Sequence, residues 1–100
     1  CGVAYLLGED PETISQTLSN SLAITSGVIC DGAKASCAAK IATAVDSGLM
    51  GYYMCKNKKN FCSGDGIVGD GIEKTIKNVG KLASQGMRET DKVIIEIMTE

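Results

Sequence analysis

Between Ala33 and Cys55 the chain runs without proline and is rich in alanine. Ala33, Cys37, Ile41, Ala44, Val45, Gly48, Leu49, Tyr52 and Cys55 recur there at helical spacing. A strand needs alternation with a period of two, so this stretch is read as one long central helix. Its small residues, Ala35, Ala38, Ala39, Ala42, Ala44, Gly48 and Gly51, would let neighbouring backbones approach closely. The pattern therefore predicts a helix packed on more than one side, and a chain organised around it.

The remaining elements follow from their start and stop signals. Asp10-Pro11-Glu12 opens a helix: Asp10 can cap the free N–H groups, Pro11 suits the first position and Glu12 complements the dipole. Ile14, Leu18 and Leu22 form its apolar stripe to about Thr25, with Gly27 as the expected stop. After a polar loop from Lys56 to Gly66, Asp70 to Glu73 has capping-box spacing at the head of a third helix. That helix carries Ile72, Ile76, Val79 and Leu82, and Gly86 is its expected terminator. Thr90-Asp91 opens a last helix bearing Val93, Ile94, Ile97 and Met98; the 93, 94, 97, 98 spacing outweighs the β-branched character of this run. The fold class is all-α: a compact bundle of about four helices within one domain, residues 1–100.

Composition narrows the functions open to such a bundle. A net charge of −2 with 22% charged residues supplies no basic face for nucleic acid or an anionic membrane. The one basic cluster, Lys56, Lys58 and Lys59, reads as a solvated loop. No apolar run approaches the roughly 20 residues of a membrane span, and no signal-peptide pattern is present, so a cytoplasmic protein is expected. Five cysteines are an odd number and too few for a disulfide scaffold of this length, which leaves metal binding, catalysis or packing. Histidine is absent, so a zinc site made by this chain would use cysteine and carboxylate.

The segment Val28–Cys37, VICDGAKASC, concentrates the chemistry. Cys30 precedes the central helix, Asp31-Gly32 makes a turn, and Cys37 lies about one turn inside. A helix N-terminus presents unpaired N–H groups and partial positive charge, which stabilises anions, thiolates included. Lys34 adds a full charge beside them. The combination suits a metal–thiolate centre or a substrate carboxylate, while the spacing alone is equally compatible with Cys37 as a core residue and Cys30 as a plain loop residue. Gly64-Asp65-Gly66-Ile67-Val68-Gly69 is formally G-x-G-x-x-G, but KNKKNFCS before it is no strand. A glycine turn leading into a helix is expected rather than a dinucleotide site. Cys55 and Cys62 flank the lysine loop and read as thiols without a shared role, and the acidic residues at helix starts read as caps and solvated charges.

The string CDGAKASCAAKIA changes the balance. Together with Cys1-Gly2-Val3-Ala4, Tyr5-Leu6-Leu7-Gly8, Asp65-Gly66-Ile67-Val68 and the run Gly86 to Lys92, it resembles the C-terminal part of the L-serine dehydratase α-chain family. The branch it looks most like is L-cysteine desulfidase, where ICDGAK is followed by proline; Ala35 stands at that position here. The resemblance implies a [4Fe-4S] lyase that works without pyridoxal phosphate. Three cysteines hold the cluster and leave one iron open as a Lewis acid. Loss of the α-proton and the β-substituent then gives an aminoacrylate that hydrolyses to pyruvate and ammonia, with sulfide as co-product from cysteine. On this resemblance Cys30 and Cys37 correspond to two closely spaced ligands and Cys1 to a distant third. Lys34 and Asp31 are the substrate-binding candidates, Lys34 through its charge.

Two departures from the family pattern bear on what this chain does by itself. Ala4 runs straight into Tyr5, where the family has a longer glycine- and alanine-rich stretch, and the family's N-terminal portion, source of a cysteine proposed as base, does not precede Cys1. The expectation is thus a fragment without activity of its own, docking onto that portion or onto a second copy, with a small amino acid as substrate. Two further readings stay open at this point: a non-catalytic helical interaction domain with packed thiols, and a zinc-binding domain.

Overall fold

The computed structural model describes residues 1–26, 28–29 and 35–100. Among them all regular structure is helical: α1 (Gly2–Leu6), α2 (Pro11–Ile24), α3 (Ala35–Lys56), α4 (Gly71–Lys81), a π-helical turn (Leu82–Gly86) and α5 (Arg88–Thr99). The expected helices are present, joined by a short α1 that carries no start signal; Cys1 occupies its cap position without a side-chain bond.

α2 starts as its sequence predicts. Asp10 Oδ1 accepts a 2.8 Å hydrogen bond from Thr13 N–H, and Pro11 stands in the first turn. α4 does not follow its expected capping box. Asp70 holds the cap position but makes no capping bond. Gly71 enters the helix with φ +77°; Thr75 Oγ1 accepts from Gly69 N–H, ahead of the cap position, at 3.1 Å, and the first-turn N–H groups have no side-chain cap. Gly86 stands at the end of the helical run, as expected, closing a π-turn that continues α4, with Met87 after it. A Cβ at Gly86 would come within 3.0 Å of Leu82 Cδ1. Glycine there lets the leucine fold against the backbone, and helical structure resumes at Arg88, two residues before the expected start.

α2 and α3 form the centre, and what they bury is polar. Thr17, Ser19 and Asn20 of α2 and Ser47 of α3 are buried, whereas Ile14, Leu18 and Leu22 are half-buried. The helices cross where Gly51 leaves no room: a Cβ there would lie 2.9 Å from Thr17 O and 3.1 Å from Asn20 Cβ. At this crossing Asn20, 0% exposed, uses its whole amide. Nδ2 donates to Gly51 O (3.1 Å) and Asn60 Oδ1 (3.0 Å), and Oδ1 accepts from Phe61 N–H (3.1 Å) and Gln16 Nε2 (3.2 Å). One side chain thus ties α2 to α3 and to the loop after it. Ser21 Oγ adds a bond of 2.8 Å to Thr17 O and a longer one of 3.5 Å to Ser47 O.

The expectation that α3 is packed on more than one side is not met among the described residues. α2 covers one face, while Ile41, Val45, Met50 and Tyr53 are exposed, Ile41 by 68%. The reason lies in the alanines: small residues permit close approach on every side of α3, but among the described residues one long helix, α2, uses it. α4 packs on α2 and buries Thr75, while Ile76 of its apolar stripe is exposed. No described helix is long and apolar enough to cross a membrane.

Candidate functional site

Cys37 is the third residue of α3 and half-buried. Cys30, Asp31 and Lys34, and with them the Gly27 stop, lie outside the described residues. Their immediate chain neighbours do not. Val28 N–H donates to Thr25 O at 2.9 Å, continuing the end of α2, and Lys40 Nζ donates to Ile29 O at 2.7 Å. Lys40 stands one turn beyond Cys37 and Ile29 is covalently joined to Cys30, so the lysine fastens the approach to Cys30 onto the opening turns of α3. In the sequence Lys40 stands as one charge on a helix; that its side chain turns back eleven residues to a main-chain carbonyl depends on where α2 ends.

Cys1 is exposed at the head of α1. It borders a groove of about 410 Å³ between α1 and α3, whose α3 wall is formed by Ile41, Ala44, Val45 and Gly48 among others. Ile41 follows Cys37 by four residues, so Cys1 adjoins the face of α3 on which Cys37 lies one turn further back. Among the described residues no three cysteine or carboxylate side chains converge as a metal site; a trio of Cys1, Cys30 and Cys37 includes a residue outside them. The donors are chemically apt for the group: thiolates are the ligands of iron–sulfur clusters, and the chain offers no imidazole to compete. Cys55 and Cys62 cannot join this site. Cys55 is eighteen residues along α3 from Cys37, roughly 27 Å at 1.5 Å per residue. Cys62 belongs to the turn beyond, its N–H bonded to Asp65 Oδ2 at 2.7 Å.

The glycine-rich segment is a turn, as expected. Gly64 and Gly66 take φ +97° and +57°, and Gly64 N–H bonds Val68 O at 2.9 Å. No strand precedes it, so the dinucleotide architecture is not formed.

A second polar group was not foreseen. Glu9, just after α1, accepts from Tyr52 Oη (2.9 Å) and Lys56 Nζ (2.8 Å), clasping the α1–α2 connection to the end of α3. The bond from Lys56, then that from Tyr52, holds the Glu9 carboxyl below its usual range. The carboxylate in turn raises the pKa of both Tyr52 and Lys56. The signs fix a pH window. Glu9's contribution is complete above its unfolded value of about 4.3 and is lost as pH falls through the lowered folded one; those of Tyr52 and Lys56 are complete below about pH 10 and lost as pH rises through their raised ones. Replacing Lys56 with methionine is expected to return the Glu9 midpoint upward and to move the Tyr52 midpoint higher still, because the lysine charge opposes the tyrosine shift. Carboxyl and ring NMR titrations check both signs.

Fold and site together define an all-helical domain with a half-buried cysteine at the head of its longest helix and a second cysteine beside the same face. The sequence profile of the family described as serine dehydratase alpha chain matches residues 1–96. Relatives include UPF0597 proteins of Finegoldia magna, 52% identical over 99 residues, and of Desulfitobacterium hafniense, 57% identical over 97 residues. These alignments cover 99% and 97% of this chain but 24% and 23% of the relatives. A UPF0597 protein of Treponema denticola is 47% identical over 96 residues. The chain belongs to the serine dehydratase alpha-chain family, and it spans about a quarter of the length of these relatives. No solved structure matches it.

Proposed function

We propose that this chain is the cluster-holding part of an iron–sulfur amino-acid lyase that deaminates L-cysteine, with release of sulfide, or L-serine, and that it acts in the cytoplasm within a longer protein. Cys30 and Cys37 are the paired thiolate ligands and Cys1 the third. Lys34 receives the substrate carboxylate, and Asp31 is the second substrate-binding residue. A bound [4Fe-4S] cluster supplies an open, Lewis-acidic iron. The chain's own part is placement. The Lys40 bond to Ile29 O ties the residue next to Cys30 to the turns of α3 that carry Cys37, and this is the observation that supports the reading within a family of lyases.

The test is anaerobic purification of the full-length protein, followed by iron and labile-sulfide analysis and assay on both amino acids. A brown protein that loses its iron and its ammonia release on Cys30→Ala or Cys37→Ala is the expected result. A colourless, iron-free protein that still releases ammonia or sulfide would sink the reading, and stoichiometric zinc without labile sulfide would replace it with a zinc site. Lys40→Met is expected to leave the folded helix content unchanged but to lower cluster retention during exposure to air, since it frees the approach to Cys30.

A further inference from the structure

α4 starts with no side-chain cap, so the N–H groups of its first turn are available at its positive end. Facing them across a cavity of about 290 Å³ is the first half of α2, which contributes Glu12, Ser15 and Ser19; Ser63, Asp70 and Gly71 close the other side. Ser19 is the unusual member. It is 5% exposed, yet its hydroxyl has no hydrogen-bond partner among the described residues. Thr17, Ser21 and Thr25 on the same helix each return their hydroxyl to the carbonyl four residues back, and Ser19 does not. Fully enclosed polar atoms of the described residues are all partnered, so the Ser19 hydroxyl opens into the cavity.

The charges around the cavity select the ligand. A lone anion would suit the head of α4 but would meet Glu12 and Asp70, neither of them ion-paired among the described residues. A lone cation would suit those carboxylates but would face the positive end of α4. A small molecule carrying both charges satisfies both walls. We propose that this cavity binds a free α-amino acid as a zwitterion, its carboxylate at the head of α4 and the Ser19 hydroxyl, its ammonium toward Glu12 and Asp70. The site is distinct from the cysteine segment. Ser19 is level with the Asn20–Gly51 crossing, and Cys37 lies fourteen residues before Gly51, roughly 21 Å along α3. The amino acid bound here is therefore an effector and not the molecule undergoing elimination.

Glycine is the probe, because it has no β-substituent to eliminate; the cavity variants and Cys37→Ser separate its binding here from binding at the lyase site. Calorimetric titration of the full-length protein is expected to show saturable binding of glycine and none of acetate or methylammonium, with amide shifts at Gly69, Gly71 and Ile72. Ser19→Val should weaken binding about tenfold, the scale of one hydrogen bond to a charged group. Glu12→Gln, on the exposed rim, should weaken it as well and carries the test if the buried variant does not fold. Cys37→Ser should leave it unchanged. Absence of saturable glycine binding, acetate or methylammonium binding as tight as glycine's, or indifference to both cavity variants would overturn the proposal. Loss of glycine binding in Cys37→Ser would also overturn it, by assigning the ligand to the cysteine site.

Discussion

Gly51→Ala is expected to destabilise the domain by about 2 kcal/mol, and Gly51→Leu to prevent α2 and α3 from closing at all. The added Cβ would sit 2.9 Å from a main-chain oxygen, Thr17 O, which moves only if the helix moves. Overpacking of this kind, through off-rotamer side chains and backbone shifts, costs about 1–3 kcal/mol, and here a helix backbone is the obstacle. Gly48→Ala, one turn away, is the control. Its Cβ meets only Ser21 Oγ at 3.9 Å, an ordinary contact. Replacing a helical glycine then gains up to about 1 kcal/mol of propensity. Denaturant unfolding of the two alanine variants should give shifts of opposite sign; equal shifts would mean that the crossing is not the tight point of the fold.

The second large effect is expected at Asn20. Asn20→Leu puts a bulkier apolar side chain at the crossing and removes the partner of Gly51 O, exposed Asn60 Oδ1 and half-buried Phe61 N–H. A buried polar group left without a partner costs about 1–3 kcal/mol and overpacking about 1–3 kcal/mol, so a loss of about 3 kcal/mol is expected. In a small domain of about 5–15 kcal/mol total stability that is a large share. Asn20→Asp discriminates the donor role from the acceptor role. It retains the acceptor for Phe61 N–H and sets a carboxylate oxygen against two carbonyl-type oxygens. It should be as damaging as leucine near neutral pH and less so in acid, where the carboxyl can donate. Chemical denaturation at two pH values measures this directly.

Much of the helical scaffold is legible residue by residue. Asp10-Pro11 places a helix start by local geometry alone, and the spacing of Val93, Ile94, Ile97 and Met98 resolves a β-branched run into helix α5. The failures are failures of contact rather than of element. Asp70 carries the signal of a cap but makes no capping bond, Gly71 entering the helix at φ +77°. The stripe of Ile14, Leu18 and Leu22 marks the helix correctly but not its most buried face, which belongs to Thr17, Ser19 and Asn20. Hydrophobic periodicity has no means of finding a centre built from hydrogen bonds.

The site divides in the same way. Composition and the CDGAKASC string pointed by themselves to cysteines at the head of an alanine-rich helix in a serine dehydratase alpha-type chain, because thiol chemistry and motif identity are properties of residue order. Cys37 does stand at the head of α3. Only the tertiary structure decided that Lys40 would hold the carbonyl beside Cys30, that Cys1 would border the same face of α3, and that Cys55 and Cys62 would lie at the far end. It also decided that a buried serine would face an uncapped helix across a cavity. These are distances between residues remote in sequence. They are set by how closely Gly51 lets two helices approach and by where Asn20 locks them.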